Sequence, residues 1–209
     1  MARHTDGIRE ADRRDGCRPE GGHQTVAENR YTRVAMTLHW IIAAGIIANV
    51  ALYWLWETGD RGVVQYIRTH KSIGVTLGGL ALMRLAWRWR YPAPSAPPHH
   101  QRWERSLSHV VHIGLYVVML GLPLSGWLMD SAWAEAAHRP MYWFGTFKWP
   151  RLGLLMEMEP AARASAHALL KTLHASLGYI LYLLFALHVA GALKHQFLDR
   201  DRILSRMWS

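Results

Sequence analysis

Cysteine is almost missing from this chain: Cys17 is the only one in 209 residues. That excludes an internal disulfide and any Cys-x-x-Cys site for metal, redox chemistry or covalent cofactor attachment. The first 29 residues lack the apolar run of a secretory signal peptide. Being polar and rich in Arg, Asp, Glu and Gly, they read as a disordered cytoplasmic tail. No internal repeat is evident. Three long stretches carry no charge of either sign, and this absence says most about the fold.

Those stretches are residues 34–56 between Arg33 and Glu57, 106–129 between Arg105 and Asp130, and 172–193 between Lys171 and Lys194. A helix crossing the roughly 30 Å hydrocarbon core needs about 20 such residues. A fourth stretch, about 70–88, is interrupted by Arg84, which lies within a turn of its end, where the long side chain reaches the interface. The near-zero mean hydropathy is a dilution of four apolar segments by polar tails and loops. The expected fold is therefore all-α: an integral membrane four-helix bundle over residues 30–209, behind the 1–29 tail. Prolines in Tyr91–Pro98 end the second helix and form a stiff connection. The connection 130–171 is long enough for a small cap, and its Ala-rich part from Pro160 to Lys171 reads as a helical lead into the last span.

Sixteen of the 24 lysines and arginines fall on one side of these helices, in residues 1–33, 84–105 and 194–209. The positive-inside rule then puts both termini in the cytoplasm. Trp40, Trp87, Trp89 and Trp103 mark one water boundary, and Trp54, Trp56, Trp127 and Trp133 the other. The net charge of +9 is thus a topology signal and a contact for anionic membrane lipid, with no nucleic-acid footprint.

Histidines inside spans are expensive unless paired or coordinating. His174 and His188 are separated by about 21 Å along a helix and by about 40° around it, so two imidazoles point one way at two depths. His39, about one turn inside the cytoplasmic boundary, matches His188. His70, opening the second helix at the outer boundary, matches His174. Two bis-imidazole sites result, able to ligate iron from opposite faces of a porphyrin, held by coordination alone. Each has a small residue one turn on (Ala43, Gly74, Gly178, Ala192), which lets a macrocycle approach the backbone. Plain helix packing accounts for such residues too, Gly74 and Gly78 in particular.

A lone histidine at an interface is more often structural, and it is the matching of both pairs in depth that favours ligation. His167 and His195 share the register of His174 and His188, but would stand about 42 Å apart, wider than the hydrocarbon. His195 is left as an interfacial or quinone-site residue. His109 and His112, with Tyr116 a turn beyond, are candidates for a replacement ligand or a quinone site, with polar packing the alternative. Lys71 and Arg84 would lie near haem edges, where a cation pairs with a propionate and raises the potential; Arg84 also reads as a topology charge.

The strings YTRVAMTLHW, THKSIGVTLGGLALMRLAWR, HVVHIGLYVVMLGLPLSGW, RPMYWFG and LHASLGYILYLLFALHVAGALKHQF, in that order, resemble the bacterial cytochrome b561 family across nearly all of the chain after residue 30. The resemblance implies a di-haem b-type cytochrome of the bacterial inner membrane, with His39, His70, His174 and His188 as axial ligands of two non-covalent haems b. Resemblance to superoxide oxidases of the family implies superoxide as donor on the outer side and ubiquinone as acceptor. Lys71, Lys148, Arg151, Arg163, Lys171 and Arg61 are the candidate cations to steer the anion, although the outer segments hold eight basic against six acidic residues. The alternative is a cytochrome b anchor that links quinone to a partner dehydrogenase, hydrogenase or periplasmic redox protein. A haem-free metal transporter is disfavoured, because the spans contain no Asp or Glu.

Overall fold

The computed structural model describes residues 31–59, 63–92 and 101–200. The expected 1–29 tail and most of the Pro-rich connection lie outside them. Four long helices dominate: α1 (Arg33–Glu57), α2 (Val63–Arg90), α3 (Arg102–Ser131) and, after a one-turn helix α4 (Gly153–Met156), α5 (Pro160–Leu193). Each well-defined start has a local cause. The Thr32 hydroxyl accepts from the Ala35 amide, and the Glu104 carboxylate accepts from the Gln101 amide at 3.1 Å. Glu159 accepts from the amides of Ala161 and Ala162, with Pro160 fixed in the first turn. The Ala-rich lead is one continuous helix with the last span.

α2 begins at Val63, so His70 lies two turns inside it and does not open it. Arg68 interrupts that extension with a charge, so it does not stand out as a charge-free run. The all-α expectation also misses a small hairpin in the connection after α3, where β1 (Tyr142–Trp143) pairs antiparallel with β2 (Phe147–Lys148). Its turn has positive φ at Phe144 (46°) and Gly145 (74°), the backbone of a type I′ turn.

The helices pack in the order α1, α2, α3, α5. Small residues set the close contacts: Gly45 faces Leu77, Gly114 faces Leu184, Gly121 faces Leu177, and Gly78 faces the ring of Pro123. Among the described residues few apolar side chains are fully buried. Ile47, Leu82, Val117 and Leu183 are each more than half exposed, an outward apolar surface suited to lipid. α1, α3 and α5 with its extension to Leu198 are long and apolar enough to cross a membrane; α2 falls short by composition.

The two ends of the bundle differ. One is capped by residues 130–159, held by a buried ionic centre in which Asp130 takes Lys71 Nζ at 2.5 Å and Arg151 Nε at 2.7 Å. Arg151 also donates to the carbonyls of Ala136 and Arg139, and Arg163 to those of Ala132, Trp133, Ala134 and Met156. Ser72 Oγ, buried on α2, accepts from the Phe144 amide at 3.0 Å, and Trp143 Nε1 donates to Thr76 Oγ1 at 3.0 Å. The other end, called open here, is tied by Trp87 Nε1 to Thr32 Oγ1 and by a clasp in which Lys194 binds both Glu104 and Asp199. α5 widens there into a π-turn over Lys194–Leu198.

Candidate functional site

Four histidines on three helices make two facing pairs. At the capped end the rings of His70 and His174 have centroids 6.4 Å apart, with planes inclined by 78°. At the open end those of His39 and His188 are 6.1 Å apart, inclined by 75°. α5 carries one member of each pair because its fourteen-residue spacing returns nearly to the same face. Two imidazoles binding one metal from opposite sides would have centroids about 6.3 Å apart, from metal–nitrogen bonds of about 2 Å plus about 1.1 Å from nitrogen to ring centre on each side. The centroid separation of both pairs matches that spacing.

The surroundings of the capped pair fit as well. His70 Nδ1 lies 3.0 Å from the Asn49 carbonyl, and His174 Nδ1 3.0 Å from Ser125 Oγ, which itself donates to the Leu122 carbonyl. The carbonyl fixes His70 with its proton on Nδ1, which leaves Nε2 as the free donor atom, and Ser125 acts likewise on His174. Gly126 permits this: a Cβ there would stand 3.1 Å from His174 Cε1. Beside the pair is open backbone, since a Cβ on Gly178 would meet nothing within 4 Å and one on Gly74 only the Asn49 amide at 3.7 Å. Of the two glycines open to either explanation, Gly78 packs against Pro123, and Gly74 borders space that a flat group would fill.

The open-end pair has different company. Arg84 Nη1 donates to the Ala35 carbonyl at 2.7 Å, one turn before His39. The ring of His112 lies 5.2 Å from that of His188, a third imidazole behind the pair. His109 is exposed and, with Leu85, Arg88, His112 and Tyr116, lines a groove of about 350 Å³ between α2 and α3. Lys71 ends on the Asp130 carboxylate, next to His70 in sequence, and 5.7 Å over the Trp133 ring. Of the candidate steering cations, Arg151 and Arg163 are engaged within the cap, Lys148 and Lys171 are exposed, and Arg61 falls outside the described residues. His167 bonds the Met129 carbonyl and His195 the Asp199 carboxylate. The bond from Lys194, against the opposing effect of desolvation and with a smaller contribution from His195, holds the Asp199 carboxyl below its usual range. Among the described residues, no group of three or more His, Cys, Asp or Glu is arranged to hold a metal ion.

Sequence reasoning missed Asn49, Ser125, Gly126 and Asp130. The signal for the first two was a polar residue inside an otherwise apolar span. Asp130 ends a charge-free run in the sequence, yet its side chain is 3% exposed.

A model of prokaryotic cytochrome b561 matches residues 30–209. Cytochrome b561 homolog 1 of Escherichia coli K12 is 29% identical over 182 residues, covering 86% of this chain and 97% of that protein. Cytochrome b561 homolog 2 of the same organism is 29% identical over 88% of this chain and 93% of its own length. A probable superoxide oxidase CybB of Yersinia pestis is 25% identical, over 85% and 95%. The chain belongs to the prokaryotic cytochrome b561 family, which makes it a multi-pass membrane electron-transfer protein with b-type haem.

Proposed function

Starting from that membership, we propose that this cytochrome b561 binds two non-covalent haems b and carries electrons from a donor at the capped end to membrane quinone. The observation that carries the reading is the pair of facing histidine couples at 6.4 Å and 6.1 Å, each at the spacing of a bis-imidazole iron. His70 and His174 hold one haem, and His39 and His188 the other. Bound haem supplies one-electron transfer. The chain sets its spacing, its orientation through Asn49 and Ser125, and its electrostatics through Arg84.

All four long helices span the bacterial inner membrane in this reading, with both termini cytoplasmic and the cap outside. α2 qualifies despite its charges, because Lys71 and Arg84 are engaged inside the bundle by Asp130 and the Ala35 carbonyl.

Superoxide is the proposed donor. The reaction balances as two superoxide anions giving two dioxygen molecules and two electrons, with one quinone taking those electrons and two protons to become quinol. The name of the Yersinia relative supports this choice. Lys71, Lys148 and Lys171 remain the cations for an approaching anion; Lys71 keeps 29% of its side chain exposed despite its bond to Asp130. A second reading, an anchor subunit for a partner redox protein, draws on Tyr142, Phe144 and Phe147, each about half exposed on the cap hairpin.

Stopped-flow mixing of purified, oxidised protein with superoxide separates the two. Reduction of both haems, reversed by added ubiquinone, is the expected result. Haems that superoxide leaves oxidised but that a chemical reductant and quinone cycle normally would favour the anchor.

A further inference from the structure

The hairpin of the cap leans on the side of α2. Ser72 Oγ accepts from the Phe144 amide at 3.0 Å and lies 3.3 Å from the Tyr142 carbonyl, while Trp143 Nε1 donates to Thr76 Oγ1 at 3.0 Å. Ser72 and Thr76 continue at Gly79 and Met83 in one stripe, spaced by four, three and four residues. That stripe stands roughly 120–180° around the helix from His70, whose ring faces His174 inside the bundle. Past the hairpin the stripe is bare: a Cβ on Gly79 would meet nothing within 4 Å, and Met83 is 59% exposed. The hairpin therefore covers the first part of an outward face whose remainder is open.

Its depth is set by charge. Lys71, bonded to Asp130, is followed by an uncharged run over residues 72–83. Thr76 lies five residues beyond Lys71, about 7.5 Å along the axis. The Trp143 side chain thus reaches past the ionic centre, to a level where α2 carries no charge. The tip is unusual in composition. A type I′ turn favours Asn, Asp or Gly at its first central position, where φ is positive. Phe144 holds that position at φ 46°, a strained backbone for a bulky residue, and so places a phenyl ring where a hairpin in water carries a polar side chain. Tyr142, Phe144 and Phe147 are each about half exposed, and the Trp143 ring packs on both phenyl rings at 5.0 Å and 5.3 Å. Polar atoms of the turn are paired within the protein: the Phe144 amide with Ser72, and the Thr146 amide and hydroxyl with the Trp143 carbonyl. Paired amides inside and aromatic rings outside suit a loop set against lipid.

We propose that the cap hairpin is a membrane-interface anchor, with Tyr142, Phe144 and Phe147 inserted at the headgroup and upper acyl level of the bilayer beside α2. The occupant is lipid because the hairpin is continuous, along one helix face, with the exposed Gly79 and Met83. A protein partner seated on the same rings is the competing outcome. The proposal rests on α2 as a membrane span, part of the reading above.

The test uses haem-loaded protein in phosphatidylcholine nanodiscs doped with a phosphatidylcholine that carries a diazirine near the glycerol end of one acyl chain, with photoadducts mapped by mass spectrometry. Adducts are expected in residues 142–147 and in residues 79–86. Phe144→Asn, which suits the left-handed backbone better, should cut the hairpin adducts about fivefold, as expected for withdrawing one half-buried ring from lipid, with haem content and the 79–86 adducts unchanged. Hairpin adducts that are absent, or unaltered by Phe144→Asn, beside a labelled 79–86 would overturn the anchor and leave the rings to a protein partner, with α2 still a span. An unlabelled 79–86 would overturn the span reading and the anchor with it.

Discussion

The capped and open ends of the bundle hold the same pair of imidazoles in different settings. At the capped end, His70 and His174 are each oriented through Nδ1, by the Asn49 carbonyl and Ser125 Oγ, under loops that Asp130 and Arg151 lock down. At the open end, Arg84 of α2, bonded to the Ala35 carbonyl one turn before His39, and a third imidazole on the far side attend His39 and His188, next to an outward-facing groove. In the proposed reading, one ligand pattern is built once for fixed geometry and once for access. A wire that takes electrons at one end and passes them to membrane quinone, as proposed, would need both.

Removing one histidine from each pair breaks the comparison most severely. His174→Ala should cost the capped-end haem and His188→Ala the open-end haem, each leaving about one haem per chain, counted by pyridine haemochrome. Loss of both from either change would mean that the ends are not independent sites.

Asp130→Asn should affect the capped end alone. It leaves Arg151, 6% exposed, and Lys71 without their carboxylate, and breaking such a buried centre costs about 3–5 kcal/mol. Limited proteolysis should cut within residues 134–159 first, while the open-end spectrum is preserved. A cap as resistant as wild type would refute the assignment.

Two milder substitutions sharpen the contrast. Ser125→Ala should weaken haem retention at the capped end by about 10–100-fold, as loss of a group orienting a ligand does. Arg84→Gln should lower the midpoint potential at the open end by tens of millivolts, about 59 mV corresponding to a tenfold change for one electron. Redox titration that finds both midpoints moved equally by Arg84→Gln would remove its placement beside one pair.

The smallest effect concerns the clasp that ties α3 to the end of α5. The Asp199 carboxyl is held low by Lys194, then by His195, so its contribution is fully present above the ordinary aspartate range, about pH 4, and is lost as pH falls through its lowered value. The melting temperatures of wild type and Asp199→Asn should differ by a constant small amount from pH 8 to about pH 5 and converge below that. A difference that already closes near pH 6 would point to another group.

Much of this was legible in the chain because a membrane punishes charge. Uncharged runs marked three helices, and the histidines stood out as costly exceptions within or beside them. The second helix was legible only in part: Arg68 interrupts its first two turns with a charge, and Lys71, neutralised by a distant Asp130, looks identical in sequence to a charge in water. The ionic centre itself joins positions 59 and 21 residues apart, and nothing local announces it. The His112–His188 contact was likewise hidden, because it depends on how α3 rotates against α5. Spacing along one helix, as for His174 and His188, is readable; spacing between helices requires the packing that Gly114 and Gly121 set.

The most direct test of the central claim is haem stoichiometry: a pyridine haemochrome on detergent-purified chain, scaled to protein, with a reduced-minus-oxidised spectrum. The account predicts about two haems b per chain with sharp low-spin bands. One haem, or high-spin bands, would contradict the claim that both histidine pairs are axial couples.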